Sequence, residues 1–143
     1  DKLREHALDL SEKIIERLVD EPRVRGMDHE KIEPVLETAL EQLQFIQFIY
    51  VTDINGKRIT KNVTQPQYRE EYGALRPNED LSDRDWFHGA LDSGGDVYIT
   101  DFYKSRITGI LCITVAATIT NDDGEPVGVI GADLKFEELA RVL

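Results

Sequence analysis

The pair Arg84 and Trp86, in the segment RDWFHGA, is the part of the sequence best suited to bind a small anion. A guanidinium presents a planar fork of N–H donors that matches the two oxygens of a carboxylate. An indole ring beside it adds a third N–H donor and excludes water. These residue types predict a site for a ligand carboxylate. A surface arginine next to a core tryptophan on a short helix would explain the same pattern.

Two aspartates suit the opposite end of such a ligand. Asp101 follows the stretch DVYIT, and Asp133 follows VGVIGA. A carboxylate at a strand end can bind an ammonium group, and a zwitterion would neutralise a buried arginine and buried aspartates together. Two other interpretations stay open: Asp101 as an ordinary strand-end residue, and Asp133 as the N-cap of a final helix.

Five aromatic side chains near these positions offer a second ligand chemistry. They could enclose a quaternary ammonium through cation–π contacts, which makes a methylated zwitterion such as a betaine a candidate beside an amino acid. The alternative is that they are ordinary core residues. They are Trp86, Phe87, Tyr98, Phe102 and Tyr103.

Other chemistry finds no support in the sequence. The three histidines are scattered without a zinc spacing, and Asp53-x-Asn55-Gly56 lacks the glycine and acidic positions of a calcium loop. No nucleophile elbow, phosphate loop or zinc-protease motif is present. Cys112 lies within GILCITVAA and is expected to be a small core residue. No catalytic residue, metal ligand or cofactor is therefore predicted.

The composition excludes several classes of partner. The 143 residues carry a formal net charge of −11, with 41% hydrophobic residues. A chain this acidic without a basic patch suits neither nucleic acid nor an anionic membrane surface. No apolar run reaches the roughly 20 residues that span a bilayer, and the charged first 20 residues do not form a signal peptide.

Two helical stripes occupy the first 44 residues. Apolar residues recur at steps of three and four from Leu3 to Leu18 and again from Ile32 to Leu43. Glu21-Pro22 ends the first helix. Pro34 is tolerated only near a helix start, so the second helix is predicted to begin near Glu33. The first stripe could pack on its own sheet or on a partner, and we expect a weak parallel homodimer through it.

From residue 45 onwards the pattern changes to that of strands. The stretch FIQFIYVT predicts a strand, and Asn55-Gly56 predicts a hairpin with a return strand over 57–62. Residues 63–82 are expected to form a polar loop, after which Ser82 or Asp83 would cap a short helix. That helix spans 84–91, further strands span 96–103, 109–120 and 126–133, and a last helix spans 135–143. This order of elements predicts an α+β fold.

Four stretches share the order and spacing of a known family. They are Ile49–Asp53 with the Asn-Gly turn, Arg84–Ala90, Tyr98–Asp101 with Ile113–Ala116, and Gly124–Asp133. In these the chain resembles the Cache family, the PAS-like extracytoplasmic sensor domains of bacterial chemoreceptors, sensor kinases and cyclases. The Arg-x-Trp-aromatic-x-x-Ala pattern is the most specific of the four.

The resemblance implies a PAS-like antiparallel sheet of about five strands, with a long N-terminal helix and a C-terminal helix. Residues 1–143 would form one sensor domain, led by helices over 1–44 and PAS-like over 45–143. It also implies flanking transmembrane helices outside this chain, and both terminal helices look severed, as in a domain excised from a longer protein. The expected location is the periplasmic or extracellular side of an inner membrane.

The resemblance further implies a non-catalytic sensor of a chemoreceptor, sensor histidine kinase or cyclase. The ligand would be a small carboxylate or zwitterion. Similar sensors grip its carboxylate with the Arg–Trp pair and its amine with acidic residues. Carried over to this sequence, the ligand-binding residues are Arg84, Trp86, Phe87, Tyr98, Asp101, Tyr103 and Asp133.

Two departures from the family leave the ligand open. Relatives carry a tyrosine shortly before the first aspartate, where this chain has Ile99 two residues before Asp101 and Tyr98 three before it. Amino-acid-binding relatives carry a tyrosine a few residues before the arginine, where this chain has Leu81. The main alternative is a cytoplasmic PAS-type domain that dimerises through its helices and binds no ligand. A solvent-exposed Arg84 would favour that alternative, and a small enzyme is the third hypothesis.

Overall fold

Three helices lead the chain. A computed structural model describes residues 2–72 and 78–135. The leading helices are α1 (Lys2–Val19), α2 (Pro22–Arg25) and α3 (His29–Gln42), and two more follow later, α4 (Arg69–Tyr72) and α5 (Asp85–Asp92). The predicted break at Glu21-Pro22 is confirmed, because Pro22 opens α2 at a position where its missing N–H costs nothing.

A six-stranded antiparallel sheet forms the centre of the fold. The strands are β1 (Ile46–Asp53), β2 (Val63–Thr64), β3 (Tyr98–Ile99), β4 (Tyr103–Lys104), β5 (Leu111–Thr120) and β6 (Pro126–Lys135). Their order is β2-β1-β6-β5-β3, and β4 pairs with β5 on the same edge as β3. The predicted α+β class, with an antiparallel sheet, is confirmed.

Helices cover both faces of this sheet. Alternate residues of β5, among them Val115 and Ile119, pack with α1, α2 and α3 in one apolar cluster. On the other face, Ala116 packs with Tyr50, Trp86 and Phe87 in a second cluster beneath α5. The long apolar strand β5 is therefore covered on both faces.

The start of the second helix was predicted wrongly. It begins at His29, because the Asp28 side chain accepts a hydrogen bond from the Glu30 N–H at 3.1 Å and caps the helix there. Pro34 consequently lies inside α3, where it removes one hydrogen bond from the ladder. The helix also buries Ile32 and Leu36 completely, and this packing outweighs the lost bond.

The predicted return strand and the polar loop after it also differ. Residues 57–62 form only isolated bridges, and regular pairing resumes at β2. The region 63–82 contains β2, a 3-10 turn over Pro66–Tyr68, and α4. The short helix begins at Asp85, with Arg84 rather than Ser82 or Asp83 at its N-cap position.

The strand predicted over 96–103 is split into β3 and β4. Between them the Thr100 side chain accepts the Thr114 N–H at 3.0 Å, which replaces a backbone bond of the ladder. Lys135 ends β6 instead of starting a helix. The rest of the predicted last helix, over 136–143, and loop residues 73–77 lie outside the described residues.

The stripe of α1 faces its own sheet. Ala7, Ile14 and Leu18 are buried in the cluster with β5 and β6, while the Leu3 side chain lies outside the described part. A dimer would have to use another face of α1, and it stays a prediction. No helix among residues 2–72 and 78–135 is both long and apolar enough to cross a bilayer.

Residues 78–84 form a segment, here called the strap, that crosses the hairpin after β1. Three backbone bonds hold it: Asn78 N–H to Arg58 O, Arg58 N–H to Glu79 O, and Leu81 N–H to Gly56 O, at 2.8, 2.9 and 2.8 Å. Gly56 permits this approach, because a Cβ there would stand 2.7 Å from the Ser82 Cα. The strap thereby fixes where α5 begins.

We expect Gly56→Ala to destabilise the fold more than Gly124→Ala. Both glycines have positive φ, 87° and 79°, but only at Gly56 would the new Cβ meet backbone. Both variants carry left-handed strain of about 1–2 kcal/mol. The clash should cost Gly56→Ala about 1–3 kcal/mol more. Urea denaturation followed by circular dichroism measures the difference, and equal losses would show that the strap does not depend on this contact.

Candidate functional site

A cavity of about 30 Å³ lies between the sheet, the strap and the start of α5. Its walls come from β1, β4 and β6, from the hairpin, and from the residues around 105–107. They include three guanidiniums, two carboxylates and three large aromatic or phenolic rings. The lining residues are Tyr50, Arg58, Glu79, Leu81, Arg84, Trp86, Tyr103, Ser105, Arg106, Ile107 and Asp133.

The carboxylate of Asp133 is buried in the floor of the cavity. Its Oδ1 accepts hydrogen bonds from the Tyr50 hydroxyl at 2.6 Å and the Thr114 hydroxyl at 2.7 Å. Tyr103 is hydrogen-bonded in turn to Thr114. Asp133 is therefore a residue of β6 held by side chains from β1 and β5, and its interpretation as a helix cap is wrong.

The packing around Asp133 depends on a glycine of the same strand. The Tyr50 ring lies across Gly131, its partner in the neighbouring strand, and a Cβ at that glycine would stand 2.8 Å from the ring. This space lets the phenol reach along the sheet to the carboxylate. A larger residue at position 131 would therefore push the Tyr50 ring away from Asp133.

Burial raises the pKa of Asp133 to about 6, against an ordinary value of 3.8. The hydrogen bonds from Tyr50 and Thr114, and the charges of Arg84 and Arg58, oppose this rise. Burial and the adjacent Asp133 also raise the pKa of Tyr50 well above its usual range, so its hydroxyl remains a donor. The floor of the cavity is therefore a carboxylate that lacks a directly bound cation in the described residues.

Arg84 supplies a cation in the cavity wall. It is half-buried, and its guanidinium lies over the Tyr103 ring, 5.6 Å from the centroid. Its guanidinium forms no hydrogen bond or ion pair within residues 2–72 and 78–135. Trp86 is buried beside it, two residues into the strap–helix junction, and its ring packs on Tyr50 at 5.2 Å. The predicted Arg–Trp pair therefore lines one cavity together with Asp133.

Two further arginines in the cavity were not singled out from the sequence. Arg58 is fully buried, and its Nη2 lies 3.0 Å from a Glu79 carboxylate oxygen. Burial lowers the pKa of Arg58, while the charge of Glu79 opposes the effect. Arg106 pairs with Asp83 at 2.8 Å on the outer side, where both side chains are exposed.

The remaining predicted residues are distributed around the cavity. Tyr103 lines it, whereas Phe87 is buried in the apolar cluster behind Trp86. Tyr98 packs on Gly89 of α5 and donates a hydrogen bond to Asp85 at 2.9 Å. Asp101 is exposed and lines a separate outer groove of about 300 Å³, which shares Arg84, Trp86 and Tyr103 with the cavity.

Little in the sequence could have identified the missed residues. Tyr50 stands between Ile49 and Val51 in a strand that is buried on both faces, so the sequence pattern does not mark it as a site residue. Arg58 and Glu79 are 21 positions apart, and only the strap crossing the hairpin brings them together. Cys112 is buried as expected, and no group of three or more potential metal ligands occurs in the described residues.

This fold and cavity define the class of the protein. The chain belongs to the family of first PDC sensor domains of methyl-accepting chemotaxis protein-like proteins, whose model matches residues 32–141. The Cache-type resemblance of the sequence is thereby confirmed. A domain of this family is a sensor and is itself non-catalytic.

Two curated relatives place the domain within longer proteins. The protein called "Citrate (Re)-synthase" from Syntrophus aciditrophicus (strain SB) is 39% identical over 128 residues, which are 90% of this chain and 20% of that protein. Methyl-accepting chemotaxis protein TlpA from Bacillus subtilis (strain 168) is 27% identical over 77% of this chain and 16% of its own length. The chain thus spans a fifth or less of these relatives, and the first name transfers no activity to it.

A solved structure shows the same fold. The ligand-binding domain of the Campylobacter jejuni chemoreceptor Tlp3, in complex with L-valine, matches with a TM-score of 0.76 and 21% identity. The match covers 99% of this chain and 57% of that one. At this identity the likeness concerns the architecture.

We expect Asp133→Asn to remove a pH dependence of stability. Because the folded-state pKa is raised, the folded chain holds the proton more tightly than the unfolded chain. The free energy of unfolding should therefore fall as the pH rises from 3.8 to about 6, then level off. That interval corresponds to about 3 kcal/mol. Asparagine is neutral throughout and keeps an oxygen for both hydroxyl donors.

Urea denaturation at pH 4 and pH 7 measures this effect. The parent should lose stability relative to Asp133→Asn between these two pH values. Asp101→Asn, at an exposed carboxylate, is the matched control and should track the parent. A constant difference between parent and Asp133→Asn at both pH values would contradict the buried-carboxylate assignment.

Proposed function

We propose that the chain is the extracytoplasmic ligand-binding domain of a transmembrane signalling receptor, and that its cavity binds a small α-amino acid or related zwitterion. The observation that carries the proposal is the pairing of opposite charges across one cavity. Arg84, without an ionic partner in the described residues, and the buried Asp133 line the same space.

Charge balance supports a zwitterion over a plain carboxylate. A carboxylate alone would neutralise Arg84 and leave Asp133 as a buried anion with its pKa raised to about 6. An ammonium beside Asp133 would stabilise its charged form, because an opposite charge within a few ångströms favours ionisation. A ligand with both groups satisfies both walls at once.

The roles of the site residues follow from their positions. Arg84 and the Trp86 indole hold the ligand carboxylate, and Asp133 faces the ammonium. Tyr50 and Tyr103 close the sides of the cavity. Phe87 supports Trp86 from behind, and Tyr98 fixes α5. Asp101 lies in the outer groove, where it attracts a cationic group before entry.

The aromatic arrangement favours an amino acid over a betaine. Of the five aromatic residues considered for a cage, only Trp86 and Tyr103 line the cavity. Phe102 lies in the outer groove, beneath the Arg4 guanidinium at 5.4 Å. Tyr50 is the third ring of the cavity, but its hydroxyl donates to Asp133, so the floor is polar and suits an ammonium that can donate hydrogen bonds better than a methylated one that cannot.

The alternative of an interaction domain without a ligand is less well supported. A solvent-exposed Arg84 would have favoured it, but Arg84 is half-buried in a cavity wall. The location outside the membrane has its own test in the full-length protein. Hydrophobic segments of about 20 residues should flank the domain, and a full-length sequence without them would argue against the receptor.

A thermal-shift screen of the twenty amino acids, betaines and short organic acids tests the ligand class. A ligand present at one hundred times its dissociation constant should stabilise the chain by about 2.7 kcal/mol. At least one free α-amino acid should do so, and its decarboxylated amine should not. Stabilisation by no zwitterion would defeat the proposal.

We expect Arg84→Ala to weaken binding of the best amino acid by about 2–5 kcal/mol in titration calorimetry, because it leaves the ligand carboxylate unpaired. Arg23→Ala, at an exposed arginine distant from the cavity, is the control and should bind like the parent. Undiminished binding by Arg84→Ala would remove the carboxylate half of the site.

Variants of the two aspartates test which of them binds the ligand ammonium. Asp133→Asn should weaken the binding of amino acids strongly and the binding of short monocarboxylates little. Asp101→Asn should change the equilibrium affinity for either class of ligand only slightly. If Asp101→Asn is the more damaging variant, the amine lies in the outer groove instead.

A further inference from the structure

The cavity wall contains a second guanidinium, to which the proposed zwitterion does not bind. Arg58 lies in its wall with the guanidinium bonded to Glu79 at 3.0 Å. The two partners differ greatly in exposure, since the side chain of Arg58 is 2% exposed and that of Glu79 is 30% exposed. Arg58 is thus fixed inside the cavity, while the carboxylate reaches it from the solvent side.

The size of the cavity decides what happens to this pair when a ligand binds. A cavity of about 30 Å³ has room for only a few water molecules. A ligand larger than a few atoms must therefore displace part of the lining. Leu81 and Trp86 are buried in the apolar cluster. The Glu79 side chain, in contrast, can rotate into solvent while its backbone carbonyl keeps the hydrogen bond from the Arg58 N–H.

Displacing Glu79 is costly unless the ligand replaces it. A guanidinium buried to this extent cannot lose its carboxylate partner without a large desolvation penalty. A ligand with an uncharged side chain must therefore leave Glu79 on Arg58. A ligand whose side chain ends in a carboxylate can take its place, and Glu79 then returns to water, where an ion is well solvated.

Resting on the proposed function, we propose that the Arg58–Glu79 pair selects ligands with a second carboxylate, that is, acidic α-amino acids. Glu79 is an internal stand-in for the ligand's side-chain carboxylate. The α-carboxylate binds Arg84, the ammonium faces Asp133, and the side-chain carboxylate exchanges with Glu79 on Arg58.

Calorimetric titration with matched pairs of ligands tests this selectivity. L-aspartate and L-glutamate are compared with L-asparagine and L-glutamine, which have nearly the same shape and lack the side-chain charge. At least one acid should bind the parent chain ten times or more tightly than its amide. Amides that bind as well as the acids would overturn the inference while leaving the proposed function intact. Failure of all four, and of every other amino acid, would reject the proposed function itself.

Two variants identify the residues responsible. Glu79→Gln removes the competing anion, so the ratio of acid to amide affinity should rise at least threefold, and the acid should stabilise this variant more than it stabilises the parent. Arg58→Gln should bring the ratio to about one. Glu16→Gln, on the opposite face of the sheet, should leave the ratio unchanged.

The partly exposed Glu79 keeps the test decisive if Arg58→Gln does not fold. A ratio that stays the same or falls in Glu79→Gln would show that the pair is only structural, and would overturn the inference. A preference for L-lysine over both acids would do so too, because Glu79 would then be the group that pairs with the ligand.

Discussion

The site depends on a carboxylate that is almost wholly removed from water. Asp133 retains its place because two hydroxyls, Tyr50 on β1 and Thr114 on β5, donate to the same oxygen across the three central strands. A shift of one residue in either strand pairing would turn one of these donors to the opposite face. The register of the sheet and the chemistry of the cavity are therefore one constraint, and Gly131 is the residue that lets the longer donor reach its acceptor.

The opposite wall is positioned by contacts remote from Asp133. The hairpin after β1 holds the strap through backbone bonds, and the strap ends at Arg84, where α5 begins. The helix itself is anchored by Trp86, Phe87 and Ala90 against the sheet. The Arg84 guanidinium thus enters the cavity from the start of α5, whereas the Asp133 carboxylate enters it from the sheet. The distance between them depends on how closely the strap lies over Gly56.

The sequence predicts this fold well where one periodicity covers a whole element. The aromatic and β-branched content of β1, the apolar run of β5 and the stripes of α1 and α3 are local properties of the chain. Arg84, Trp86 and Asp133 were found as candidates because a family pattern and strand ends mark them. One error occurs where the Thr100 side chain replaces a backbone hydrogen bond of the sheet. Another occurs where the Asp28 cap starts a helix that continues through Pro34. The pair of Arg58 and Glu79 was missed because only tertiary structure joins residues so far apart.

A proton and a ligand ammonium would compete for the same group at the cavity floor. Near pH 6 the carboxyl of Asp133 is partly protonated, and an ammonium bound beside it would favour the charged form and release the proton. A sensor can transmit only the difference in free energy with which its ligand binds two states. Here that difference arises on β6, two residues before Lys135, where the strand ends. Under the proposed function, the neutral floor bonded by two hydroxyls and the charged floor paired with a ligand are the two states of the same strand. The end of β6 is then the part of the chain nearest to this change of state.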